Sequence, residues 1–173
     1  SIINRLDFDQ KHTGSAVIDY RTSQSAGLLS GIGLSAVYSF GSGQAYTPSA
    51  VVSTIFDRGW NKPLAAINAG TMPWYNNLDI RLEKTFNLSG YKLNVYALML
   101  NALSQENVRN VIPTTGGPDT DGWLETAAGQ VWLQSQTALF PAADAAALYN
   151  DRLRNPSNYG SPRMLRFGLR ISL

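Results

Sequence analysis

From Leu165 to Leu173 every second residue is large and apolar, and Arg166, Gly168, Arg170 and Ser172 stand between them. The same period of two recurs in four earlier segments of about ten residues each, which is the signature of strands with one apolar and one polar face. Ala16, Ile18 and Tyr20 alternate with Thr13, Ser15, Asp19 and Arg21; Ile32, Leu34, Ala36, Tyr38 and Phe40 alternate with Gly33, Ser35 and Ser39. Leu78, Ile80, Leu82 and Phe86 alternate with Asn77, Asp79, Arg81, Glu83 and Thr85, and Tyr91, Leu93, Val95, Ala97 and Met99 with Lys92, Asn94 and Tyr96. The pattern predicts antiparallel strands at about 12–21, 31–40, 75–86, 91–102 and 162–173.

The connections alternate in length. Asn87 to Gly90 is a hairpin turn and Thr22 to Ser30 a modest linker, whereas Gly41 to Trp74 and Asn101 to Ser161 are long. Loops of that length in a compact domain are functional more often than not. Within the second one, the run from Ala142 to Leu153 predicts a short helix, with Pro141 at its start and Asn155-Pro156 beyond its end.

Charged residues make up only 15% of the chain, against roughly 25% in soluble domains. Gly, Ser, Thr, Asn and Tyr take their place, which favours an all-β fold. A net charge of +2 with scattered Lys and Arg lays down no phosphate-binding stripe, so nucleic acid is not an expected partner. There is no Cys, which removes disulfides and thiolate metal sites. No apolar run reaches about 18 residues, the length of a transmembrane helix, whereas ten-residue alternating strands are long enough to cross a bilayer at a tilt.

Alternation alone fits a soluble β-sandwich or a membrane barrel, because both bury one face. Aromatic placement favours the barrel. Tyr20, Phe86 and Tyr91 fall at the short-turn level and Tyr38, Phe40, Trp74 and Tyr75 near the long-loop level, as two interfacial belts. Lys84 is the outward-facing exception, expected to lay its stem on the apolar surface and send its ammonium to the headgroups. The charges of Asp79, Arg81, Glu83, Lys92, Arg166 and Arg170 are costly in a dry core and cheap against a wet lumen. The expected fold is therefore an all-β, antiparallel transmembrane barrel segment with two long extracellular loops, the second carrying a short helix that rests on the rim.

Catalytic chemistry finds little support. His12 is the single histidine, and Ser15, the nearest nucleophile, faces away by strand parity, so no enzymatic activity and no cofactor are expected. Asp119-Thr120-Asp121-Gly122, with Glu125 beyond, resembles the start of a calcium loop without the remaining ligands of an EF-hand, and turn formation is the simpler use of those residues. Asp79, Arg81 and Glu83 read as a structural ion network ahead of a substrate contact. Gly41-Ser42-Gly43 and Gly116-Gly117 lack the strand-turn-helix setting of a phosphate loop.

The ordered segments resemble the C-terminal end of TonB-dependent outer-membrane receptors, in particular those with a carboxypeptidase-regulatory-like N-terminal domain. FDQKHTGSAVIDY is similar to that family's FDQRH strand opening, YNNLDIRLEKTF to its NLDLRLSK strand, and LNVYALMLNALSQENV to the strand after it, with Asn101-Ala102-Leu103-Ser104 at the place of NLFN. GGPDTDGWL and NPSNYGSPRMLRFGLRISL resemble its last loop and closing strand. The resemblance implies that residues 1–173 are the C-terminal part of one barrel of twenty-two strands, with the plug and earlier strands absent, in the outer membrane of a Gram-negative bacterium.

It further implies energy-coupled uptake of a nutrient. The implied partners are outer-membrane lipid, the remainder of the barrel and plug, and a TonB-type protein engaging the missing N-terminal part. The closing residues Arg166, Gly168, Ile171 and Leu173 resemble the signal read by the barrel-assembly machinery, with Leu173 where an aromatic residue is usual. The alternatives are a barrel acting as structural anchor or scaffold in a surface complex, and a soluble β-sandwich binding module.

Overall fold

The computed structural model describes residues 4–23, 25, 27–51, 62–137, 139 and 141–173. They form two compact units.

The sheet unit comprises His12–Gly41, Tyr75–Asn107 and Ser161–Leu173. Its strands are β1 (Thr13–Arg21), β2 (Ile32–Gly41), β5 (Tyr75–Leu88), β6 (Tyr91–Leu100) and β7 (Met164–Ser172), in the spatial order β1-β2-β5-β6-β7 and antiparallel throughout. The five predicted strands are all present, with ends moved by up to two residues. β5 is the longest because its pairing with β6 runs into the tight turn as far as Leu88 and Tyr91, and Gly90 closes that turn at φ 84°, a conformation that favours glycine. The sheet is open, with β1 and β7 at its edges.

Register confirms the two faces. Ile18, Ala36, Ile80, Met99 and Leu165 make one row across all five strands, and Tyr20, Leu34, Leu82, Ala97 and Phe167 make the next. Since side chains alternate with period two, the rows between them belong to the opposite face. Ile18, Leu82, Phe167, Leu169 and Ile171 are all exposed, and every buried hydrophobic side chain among the described residues lies in the other unit. The sheet has no core of its own on the described residues; it is an amphipathic wall.

Two expectations about this face are corrected. Tyr75 pairs with Gly41 and shares the polar face, so it belongs to no apolar-side belt. The Lys84 ammonium does not extend outward. It donates to the backbone carbonyls of Leu28 at 2.8 Å and Ser30 at 2.6 Å, closing the linker between β1 and β2. A short 3₁₀ turn at Gly27–Leu29 presents the Leu28 carbonyl and Ser30 follows it directly, and an ammonium with three protons can serve both acceptors.

The long-loop ends of the strands are held by asparagines. Asn101, buried and at φ 50°, ends β6; its amide donates to the carbonyls of Gln105 and Ser161, and its backbone N–H donates to Asp79. Asn107 makes a reciprocal pair with the backbone of Asn76, accepting at 2.9 Å and donating at 2.7 Å, which stands in for a neighbouring strand.

The loop unit comprises Ser1–Lys11, Ser42–Trp74 and Val108–Gly160. The two long connections thus fold together with the first residues, an outcome that strand periodicity has no means of foretelling. A two-residue ribbon, β3 (Ala45–Tyr46) with β4 (Gly70–Thr71), lies in the first connection, whose residues 52–61 are outside the described set. The second holds two helices, α1 (Ala127–Gln136) and α2 (Ala142–Leu153). α2 has the predicted bounds and packs on α1. α1 was not expected: Gly129 within AAGQVWLQSQ disfavours a helix locally. Here that glycine is needed, since a Cβ on it would come within 2.2 Å of the Trp123 carbonyl. The Thr126 hydroxyl caps α1 by accepting from the Gly129 N–H.

Candidate functional site on the polar face

A chain of polar contacts crosses the polar face from one edge of the sheet to the other. Arg21 on β1 reaches Asp19 at 3.2 Å and Glu83 at 2.8 Å, and Arg81 holds the other oxygen of Glu83 at 3.0 Å. Ser35 donates to Asp19. The Arg81 guanidinium lies 4.1 Å over the Tyr96 ring, and Tyr96 faces Gly168 on β7. Glycine is required at two points of this chain for space. A Cβ on Gly168 would meet the Tyr96 phenol at 2.3 Å, and one on Gly33 would meet the Glu83 side chain at 2.9 Å. Small residues on β2 and β7 thus let longer side chains from their neighbours lie flat across the sheet.

The network excludes water from its own centre: the Glu83 side chain is only 12% exposed and Arg81 32%, against 66% for Arg21. Two guanidinium groups share one carboxylate on a face that solvent reaches at its margins. Asp79 is outside this network, held by the Asn77 amide and the Asn101 backbone N–H. Of the sequence-derived candidates, Arg81 and Glu83 are brought together, Asp79 serves the strand end, and Lys92, Arg166 and Arg170 stand apart, exposed, on β6 and β7. Asp19, Arg21 and Tyr96 complete the strip. Their signal in the sequence is parity plus register, and register needs the pairing.

The polar face is not uniform. Val17 and Val37 pair on it beside Asp79, and Leu98 sits beside Arg81 and Arg166, so an apolar band crosses it toward the long-loop end.

The calcium candidates have other partners. Asp121 accepts from the Trp123 N–H at 2.9 Å and from the Tyr149 hydroxyl at 2.8 Å, and Asp119 accepts from the Tyr159 hydroxyl. Glu125 is exposed within a 3₁₀ turn. Among the described residues no group of three or more His, Cys, Asp or Glu is placed to hold a metal. These aspartates build the loop unit: Trp123, Trp132 and Tyr149 pack as a three-ring cluster with centroids 5.3–5.7 Å apart, and Asp121 satisfies the one hydroxyl buried in it. Burial first, then the hydrogen bond to the Asp121 carboxylate, pushes the Tyr149 hydroxyl well above its ordinary value of 10.0. His12 precedes β1, and Ser15 lies on the polar face opposite Ser39.

The chain is similar to the TonB-dependent transporter Oar of Myxococcus xanthus, with 29% identity over 114 residues that cover 60% of this chain and 11% of that protein. It therefore matches a small part of a much longer relative. No protein-family profile matches the chain, and no solved structure does. No helix among the described residues is long and apolar enough to cross a membrane, a finding that leaves strands untouched.

Proposed function

We propose that this chain is a wall segment of an outer-membrane β-barrel, of the TonB-dependent transporter kind, in a Gram-negative bacterium. The observation that carries the reading is the division of the sheet. Successive rows across the five strands are apolar, exposed on the edge strands and half-exposed at Ile80 and Met99 between them, while the reverse face carries a connected set of charges. An aqueous sandwich would need a second layer on the apolar rows, whereas lipid satisfies them directly and a wet lumen suits the charges. Strands of 9 to 14 residues have the length to span at a tilt. The similarity to Oar supports a transport role.

In this reading the open edges β1 and β7 join further strands of the same barrel. The ion strip sets the register of the wall, and Arg166, Gly168, Ile171 and Leu173 present the assembly signal. A TonB-type protein supplies energy through another part of the polypeptide, and the segment itself performs no catalysis. The chain's lack of cysteine makes a direct test available. Ile80→Cys and Arg81→Cys are introduced singly into the protein that carries this chain, freed of other cysteines, in outer-membrane vesicles. A water-soluble maleimide is expected to label the Arg81→Cys variant and spare the Ile80→Cys variant. Equal labelling of both, or recovery of the protein in aqueous extracts, overturns the reading. Pull-down of the parent by the energy-coupling protein tests the transporter assignment separately, and its failure with facing confirmed would favour an anchoring barrel.

A further inference from the structure

The two halves of the polar face differ in charge. On β1, β2 and β5 it carries Asp19, Arg21, Asp79, Arg81 and Glu83, two cations against three carboxylates, each engaged by a neighbour. On β6 and β7 it carries Lys92, Arg166 and Arg170 and no carboxylate. None of these three makes a hydrogen bond or ion pair among the described residues, and all are exposed. Lys92 pairs with Ser172 and Arg170 with Asn94, so the two cations are diagonal neighbours about 7–8 Å apart. Arg166 follows four residues along the strand, about 13 Å away. The Tyr96 ring, lying over Gly168 and under Arg81, stands between Arg170 and Arg166 on β7, with Lys92 and Arg170 on one side of it and Arg166 on the other.

We propose that the β6–β7 half of this face is an anion track, which takes a carboxylate- or phosphate-bearing solute along the inside of the wall. Guanidinium groups grip such oxygens with two parallel hydrogen bonds, and the lysine adds a point charge. Each cation stands free of the ion pairs formed among the described residues, which leaves its charge for a passing anion. Spacing in a row, and not in one pocket, suits transfer from one cation to the next. The inference rests on the barrel reading and adds to it the charge of the solute.

The test measures local potential and binding in the protein that carries this chain. Asn94→Cys reports on the cationic half and Ser39→Cys on the neutralised half. Each is reacted in membranes with an anionic sulfonatoethyl methanethiosulfonate and with its cationic trimethylammonium analogue. At position 94 the anionic reagent is expected to be favoured about tenfold more than at position 39, as a one-signed aqueous cleft focuses its field. Lys92→Gln with Arg170→Gln should abolish that preference, and inorganic pyrophosphate should slow labelling at 94 and not at 39. Equal rates at 94 mean that another acidic surface of the protein already neutralises the row, and they overturn the proposal. So does an anion preference that pyrophosphate leaves untouched. If neither reagent reacts at either position, the polar face is not aqueous, and the barrel reading falls with the track. Should the double variant fail to assemble, the reagent ratio and pyrophosphate protection in the unsubstituted background still decide.

Discussion

Gly168 separates two explanations of the same residue. As part of an assembly signal it acts through recognition, and its substitution harms the protein whatever lies beside it. As the floor under Tyr96 it acts through space: a Cβ there would meet the phenol carbon and oxygen at 2.3 Å. The ring has to swing off β7, and in doing so it leaves the Arg81 guanidinium, now 4.1 Å from its centroid. Forcing a methyl into such a contact costs about 1–3 kcal/mol, and losing a partly desolvated cation–π contact adds about 0.5–2 kcal/mol. Because the ring can rotate, the lower part of that range is expected for Gly168→Ala, near 2 kcal/mol in all. Tyr96→Ala removes the obstacle along with the ring's own contacts. In Gly168→Ala with Tyr96→Ala the methyl then has room, so the pair should cost at least about 1 kcal/mol less than the sum of the singles. The assay is denaturant unfolding, in lipid vesicles, of the protein that carries this chain, with the heat-modifiable fraction in membranes measured alongside. Additivity within about 0.5 kcal/mol would refute the steric account. An assembly defect in Gly168→Ala that Tyr96→Ala leaves in place would return the residue to the signal.

In the same unfolding assay Ile80→Arg, at the centre of an apolar row, should cost about 2–4 kcal/mol, while Arg81→Gln, which gives up the Tyr96 ring contact but leaves Glu83 paired with Arg21, should cost less, about 0.5–2 kcal/mol; the reverse order would mean the faces are exchanged. Lys84→Met should speed amide exchange at Ile32 and Ser30 about tenfold by freeing the Leu28 and Ser30 carbonyls, as loss of a charge-assisted hydrogen bond worth about 1.5 kcal/mol does; unchanged exchange would show that the ammonium plays no part in closing the linker. Tyr149→Phe should destabilise the loop unit by about 1–2 kcal/mol, read as faster proteolysis between Val108 and Gly160, since it strands the Asp121 oxygen. Tyr149 is held protonated in the folded unit, so its contribution is complete below the ordinary value of 10.0 and is lost as pH rises above it. The parent's loop unit should open at alkaline pH, and the Phe variant should lack that phase.

Period-two alternation determined the number of strands in the main sheet, their approximate bounds and which residues share a face, because side-chain direction along a strand is a local property of the chain. The bounds of α2 were legible for a similar reason: Pro141 at its start and Asn155-Pro156 beyond its end act locally. Which strand lies beside which was not local. Pairing β2 with β5 across a long connection is what sets Arg21 against Glu83 and Gly33 beneath it, and pairing β6 with β7 is what leaves Lys92, Arg166 and Arg170 without an acid among the described residues. Lys84 read as an outward anchor because alternation assigns a direction and says nothing of the carbonyls within reach. The Asp119–Gly122 segment offered a calcium-loop resemblance beside the simpler turn reading, and neither foretold that tyrosines far along the chain occupy its carboxylates. α1 was illegible because its glycine, a helix breaker by propensity, is accommodated only by the backbone of Trp123 and Leu124 packed against it. Direction and periodicity are written residue by residue, whereas charge balance, steric clearance and capping depend on partners that only the folded chain brings within a few ångströms.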